Sequence, residues 1–185
     1  MQRCPWALSA PDYVEYHDNE WGRLVHDEVR VFEKLCLEGF QSGLSWLVVL
    51  RKREAFRRAF HGFDPEAMSR LGPSDVDRLV ADQSIIRHRG KIEAVVSNAR
   101  ALLDWHEKGL TLAGALWAAA PANAPAPPAT VADIPASTLE SKKLSDHLRR
   151  SGFRFVGPTT VYSAMQALGV VNDHIASCWC RDRWR

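Results

Sequence analysis

The sequence predicts an all-α fold, on three observations. Helix caps and stops recur every ten to twenty residues, apolar residues follow the 3.6-residue period between them, and runs alternating with a period of two are nearly absent. Ser9, with Pro11 and Asp12 behind it, opens a first helix that ends at Trp21-Gly22. Asp27 caps a second over Glu28 to Gln41, and Ser45 caps a third from Trp46 through a basic stretch to Phe60. Asp64-Pro65 starts a short helix, because proline is tolerated in the first turn, and another follows Pro73. A long helix spans His88 to Lys108 and stops at Gly109, and Leu112 to Ala119 adds one or two turns. The expected total is eight or nine helices.

Residues 120–137, dense in Pro and Ala, are the one shift in composition and read as a semi-extended, mobile connector. Beyond it Ser137-Thr138-Leu139-Glu140 is a capping-box pattern, with Ser137 as the cap and Glu140 reaching back. That helix runs to Arg150. Gly152 to Gly157 then form a turn, and Pro158 starts a helix that Gly169 ends. Two helices around a glycine-bracketed turn make a helix–hairpin–helix, in which both glycines permit positive φ and the second helix offers free N–H groups to a phosphate. The expected organisation is one domain over residues 1–185. It comprises a helical lobe at about 22–120, the connector at about 120–137, the hairpin at about 138–169, and terminal segments 1–21 and 170–185 brought together.

Bulk properties exclude several classes. Of the 185 residues 46% are apolar and 25% charged, the composition of a globular domain with a real core. No apolar run reaches membrane-spanning length, and Met1 to Trp6 lack a signal-peptide layout, so the expected location is the cytosol. The net charge of +2 announces no nucleic-acid binder, but basic residues cluster at Arg51-Lys52-Arg53, Arg87-His88-Arg89 and Arg149-Arg150 with Arg154. Such clusters permit phosphate contact without proving it.

Four cysteines in a chain expected in a reducing compartment point to metal rather than disulfides. His174 and Cys178, four apart, would share one face of a helix, and Cys4 and His17 form a second pair near the other end. Two Cys and two His make a closed, structural zinc site. A satisfied core histidine beside a buried cysteine is the alternative, Cys180 is the rival ligand, and Cys36 reads as core.

The first third of the chain is rich in aromatics: Trp6, Tyr13, Tyr16, Trp21, Phe40 and Trp46. Glu38 falls beside the apolar stripe of its helix, and a partly buried carboxylate needs a partner. That partner is either a neighbouring Arg or a ligand. Gly39 to Trp46 follow as a charge-poor loop with Leu44 at its tip, suited to enter a duplex when a base leaves it.

Several ordered motifs then carry a family resemblance. Arg3-Cys4-x-Trp6, Tyr16-His17-Asp18-Asn19-Glu20-Trp21-Gly22, Cys36-Leu37-Glu38-Gly39, Gly43-Leu44-Ser45-Trp46, Ile85 through Ile92, Gly152-Phe153-x-Phe155-Val156-Gly157 and Val170 through His174 closely resemble the DNA-3-methyladenine glycosylase I family. The resemblance implies a helix–hairpin–helix glycosylase that flips 3-methyladenine out of alkylated double-stranded DNA and hydrolyses its N-glycosidic bond, releasing the free base. It places one structural zinc on Cys4, His17, His174 and Cys178. It also implies that Glu38 and Tyr16 hydrogen-bond the base and that Trp46 stacks on it. Trp6, Trp21 and Tyr13 would wall the pocket, and Gln41, Gly43, Leu44, Arg154, Gly157 and Thr159 would meet DNA. The wider superfamily carries a catalytic aspartate where this chain has Asn172, so Asp173 receives no catalytic role from proximity alone. A monomer is expected. A non-enzymatic damage-binding module, a zinc-stabilised interaction domain, and a glycosylase for another alkylpurine such as 3-methylguanine are the competing readings.

Overall fold

A computed structural model describes residues 1–183, so the last two positions of the expected domain lie outside it. Among the described residues the regular elements are all helical. They are α1 (Pro11–Asn19), α2 (Glu28–Gln41), α3 (Trp46–Ala59), α4 (Pro65–Ser69), α5 (Pro73–Ala81), α6 (Arg89–Glu107), α7 (Leu112–Ala118), α8 (Leu139–Arg150) and α9 (Pro158–Ala167). Short 3₁₀ turns cover Pro5–Ser9, His61–Phe63 and Val131–Asp133. No helix is long and apolar enough to cross a membrane.

α2 is the axis of the molecule. Asp27 caps it, its carboxylate accepting from the Arg30 amide at 2.9 Å. At its C-terminal end the carbonyls of Phe40 and of the cap residue Ser42 accept from the buried ammonium of Lys91 on α6. In its first turn Glu28 accepts from the amides of Leu112 and Ala113 at 2.7 Å each, so one carboxylate satisfies the start of α7 as well. α2 packs on α3, α6, α7 and α9, and Phe32, Leu35, Phe40, Phe56, Phe60 and Phe63 fill the space between them.

Several boundaries differ from expectation. Ser9 does not open α1: its hydroxyl donates to the Trp6 carbonyl inside the 3₁₀ turn, and Ala10 holds the cap position. Ser45 does stand at the cap of α3 as expected, although its side chain makes no capping bond. The box of α8 falls one residue later than read, with Thr138 and Ser141 exchanging side-chain-to-backbone bonds at 3.2 and 2.9 Å. α6 is capped by His88, whose Nδ1 accepts from the Lys91 amide at 3.2 Å, and ends before Gly109 at φ 71°.

The connector is not free along its length. Thr130 and Asp133 close a small capped turn, and Pro128 accepts from the Ala176 amide at 2.8 Å. In the hairpin turn Gly152 adopts φ 92°, but Gly157 sits at −62° as the cap of α9, and the second left-handed residue is Phe155 at 54°. That turn is pinned from outside. Asn98 on α6 bonds both the amide and the carbonyl of Arg154, at 2.7 and 3.1 Å.

Candidate functional site

Two adjoining structures make the site, an aromatic cavity and a Cys/His cluster behind it. The cavity, of about 340 Å³, is lined by Trp6, Tyr13, Tyr16, Trp21, Glu38, Gln41 and Trp46 on one side. Val131, Ile134, Pro135 and Ala136 of the connector, with Thr159, Tyr162 and Gln166 of α9, line the other. All the residues expected to read or wall a base therefore converge, although they come from the N-terminal turn, α1, the segment after it that carries Trp21, α2 and α3. The connector's role in the wall has no signal in its composition.

Aromatic edges build the wall. Trp6 meets Tyr13 at 5.4 Å and Trp21 at 5.0 Å between centroids, both edge-to-face, and Tyr16 tilts against Trp46 at 5.5 Å. Trp46 is buried, and its Nε1 finds no hydrogen-bond partner among the described residues.

Glu38 is only 5% exposed, and its partner is a lysine rather than an arginine. Lys34, one turn earlier on α2, places Nζ 3.0 Å from Glu38 Oε1. Burial raises the Glu38 carboxyl above the ordinary carboxylate range, opposed by the charge and hydrogen bond of Lys34. Burial likewise lowers Lys34 and pushes Tyr16 well up.

The expected DNA-facing residues split. Gly43 (φ 79°) and Leu44 (43% exposed) lie at the surface in a loop that begins only at Ser42, because α2 continues through Gln41. Gln41 and Thr159 line the cavity itself. Arg154 is exposed in the hairpin turn, and the amides ahead of the first α9 bond, Val161 N to Gly157 O, are open at that helix start. Asn172 is not on the cavity; its amide donates to the Arg181 carbonyl at 2.8 Å. Asp173 is buried and accepts from Tyr162 at 2.7 Å and Gln166 at 2.8 Å, anchoring two cavity residues rather than facing the cavity.

Cys4, His17, His174 and Cys178 are all buried, with one donor atom of each within 4.8 Å of the others, so the cluster could hold a metal ion. Segment 174–178 is a turn, not a helix: Cys178 N bonds Ile175 O at 2.8 Å. Cys178 Sγ lies 3.4 Å from both His17 Nε2 and His174 Nδ1, and Cys4 Sγ lies 3.7 Å from His174 Nδ1. Ligands about 2.0–2.3 Å from a tetrahedral ion stand roughly 3.5 Å apart, so these spacings fit. Each imidazole uses its other nitrogen outward. His17 Nδ1 donates to Asp18 at 2.9 Å, itself held by Arg3, and His174 Nε2 donates to the Trp21 carbonyl at 3.3 Å. Cys180 lies on the Nδ1 side of His17, 3.8 Å away, outside the tetrahedron. Cys36 is core, as expected. Burial pushes the Cys4 thiol up to about 12 and His174 down to about 4, the cost of desolvating charge that a cation would offset.

Residues 6–182 match the model of the methyladenine glycosylase family. The chain is 48% identical over 181 residues to DNA-3-methyladenine glycosylase 1 of Escherichia coli K12, covering 97% of both chains. A crystal structure of a 3-methyladenine DNA glycosylase I superposes with a TM-score of 0.94 at 47% identity, over 97% of this chain and all of that one. A Tyr-to-Phe variant of such an enzyme, in complex with 3-methyladenine, superposes at 0.92 with 31% identity over the whole of both chains.

Proposed function

The chain belongs to the methyladenine glycosylase family, and from that premise we propose how it frees 3-methyladenine from alkylated DNA. It is a monofunctional hydrolase of N-glycosyl bonds that extrudes the lesion and leaves an abasic site. The observation that carries the residue-level reading is a buried carboxylate, Glu38, in the wall of a cavity otherwise built of Trp and Tyr.

Methylation at N3 makes the purine cationic, so the base departs neutral and its bond to the sugar is already weak. Acid catalysis then has little to add, and binding the extruded cation in a desolvated pocket has much. Glu38 accepts a charge-assisted hydrogen bond from the base, while the Tyr16 hydroxyl offers a donor. Stacking on Trp46 adds a contact of about 1–2 kcal/mol to a cation. Unmodified adenine lacks the charge and leaves by a harder route. Asn172 cannot supply the negative charge that would support a developing oxocarbenium sugar, and Asp173 instead fixes Tyr162 and Gln166.

On the DNA side, Leu44 with Gly43 fills the gap left by the flipped nucleotide. The open amides of α9 at Gly157 and Thr159, with Arg154 beside them, take a phosphate of double-stranded DNA. The helix–hairpin–helix comprises α8 and α9 within a single domain that acts as a cytosolic monomer. One zinc ion, held by Cys4, His17, His174 and Cys178, ties the two terminal segments together. Its closed donor set supplies structure, not a reaction step.

The decisive experiment is base release from methylated duplex DNA with the products separated by chromatography. Free 3-methyladenine must appear; release of 3-methylguanine in comparable yield would favour a broader alkylpurine pocket. No DNA binding, with no salt-dependent association and no released base, would instead favour a helical interaction domain.

A further inference from the structure

The geometry points to Lys34 as the positioning residue of the base pocket, the buried cation that holds Glu38, Tyr16 and Trp46 in one array. This rests on the reading of Glu38 as the base-contacting carboxylate.

Lys34 does not border the base cavity. It borders a second one of about 370 Å³ on the far side of Tyr16 and Trp46, lined by charged residues including Glu20, Arg23, Arg53 and Arg57. From there its ammonium reaches all three base-contacting groups. Nζ donates to Tyr16 Oη at 2.6 Å, pairs with Glu38 Oε1 at 3.0 Å, and lies 3.4 Å from the centroid of the Trp46 ring. An ammonium has three donors, and three neighbours take them.

Each contact has a consequence inside the pocket. Because Tyr16 Oη accepts from Lys34, its own proton is free to be donated elsewhere. Because one face of Trp46 is covered by Lys34, stacking is left to the other. Because Glu38 is paired, the ammonium 3.0 Å away opposes the burial that drives its carboxyl toward the neutral acid. The other groups around Glu38 do not substitute: Tyr13 and Tyr16 from α1 are phenols, Tyr162 from α9 donates to Asp173, and Arg53 is committed to Glu20. Lys34 is the cation whose charge decides the state of the acceptor.

The test is the pH profile of 3-methyladenine binding, followed by Trp fluorescence, and of base excision from methylated duplex. It compares wild type, Lys34→Met, Lys34→Gln and Lys34→Arg, each checked by thermal melt. Ligand protonation is common to all four and cancels in their ratios. Lys34→Met and Lys34→Gln should move the acid limb upward by about one to three pH units. Lys34→Arg should restore the wild-type limb. The limb staying in place in both neutral variants would overturn the assignment to Lys34. Full affinity in Glu38→Gln would instead overturn the reading of Glu38 itself, whatever the Lys34 variants do.

Discussion

A carboxylate and an ammonium buried 3.0 Å apart have each given up hydration that their mutual attraction rarely restores in full. The Glu38–Lys34 pair is therefore expected to serve binding more than folding. Glu38→Gln strands Lys34 without a counter-charge and should lower stability by about 3 kcal/mol while abolishing the preference for the methylated base. Replacing both, Glu38→Gln with Lys34→Met, should return the melting temperature to wild type or above it, with binding still lost. Calorimetry paired with fluorescence titration of 3-methyladenine separates the two effects. A double variant less stable than either single one would show that the pair holds the fold. Trp46 carries a related expectation: Trp46→Leu keeps apolar bulk but loses the π face, and should weaken binding of the neutral free base by about two- to tenfold, from a stacking contribution of about 0.5–1.5 kcal/mol.

At the level of elements, loop and hairpin divide the work of meeting DNA from the work of reading the base. Leu44 is 43% exposed and sits outside the cavity lining, so Leu44→Ala should reduce excision from duplex DNA while leaving free-base affinity and melting temperature unchanged. Equal losses in both assays would place Leu44 in base recognition instead. The turn joining α9 to the C-terminal segment is set by Gly169, at φ 79°, where a Cβ would stand 2.8 Å from the backbone of Gly22 and Arg23. Gly169→Ala should cost about 2 kcal/mol or more of stability, read by chemical denaturation, because neither backbone can yield. Elements whose signals are local were legible in the sequence: Asp27 and Asp64 cap α2 and α4, and Gly109 follows α6. Ser9 and Ser137 were not, since a hydroxyl at a helix start has alternatives in its own turn that spacing cannot rank. Lys91, Asn98 and Lys34 also escaped it. The first two act on carbonyls and amides about fifty residues away, and Lys34 reads locally as a solvated helix charge.

Across the whole molecule, the Cys/His cluster and the base cavity form one continuous body of rings. Trp21 stacks on His17 at 6.1 Å and meets His174 edge-on at 4.6 Å, while Trp6 meets His17 at 5.3 Å, and both tryptophans also line the cavity. Gly22, wedged so that a Cβ would meet His174 Nε2 at 2.9 Å, allows no slack between them. The terminal segments bear these ligands, with 170 residues separating Cys4 from His174, so a bound ion would close nearly the whole chain into a loop. Removing it should thus do more than lower stability. Treatment with a strong chelator should release about one zinc per chain by elemental analysis and drop the thermal midpoint. It should also weaken 3-methyladenine binding, because Trp6 and Trp21 lose the histidines that seat them. Cys178→Ser should reproduce all three changes and be indifferent to the chelator, whereas Cys180→Ser, outside the tetrahedron, should respond to it as wild type does. A chelated protein that melts earlier yet binds the base with undiminished affinity would confine the cluster to tying the ends and separate it from the pocket.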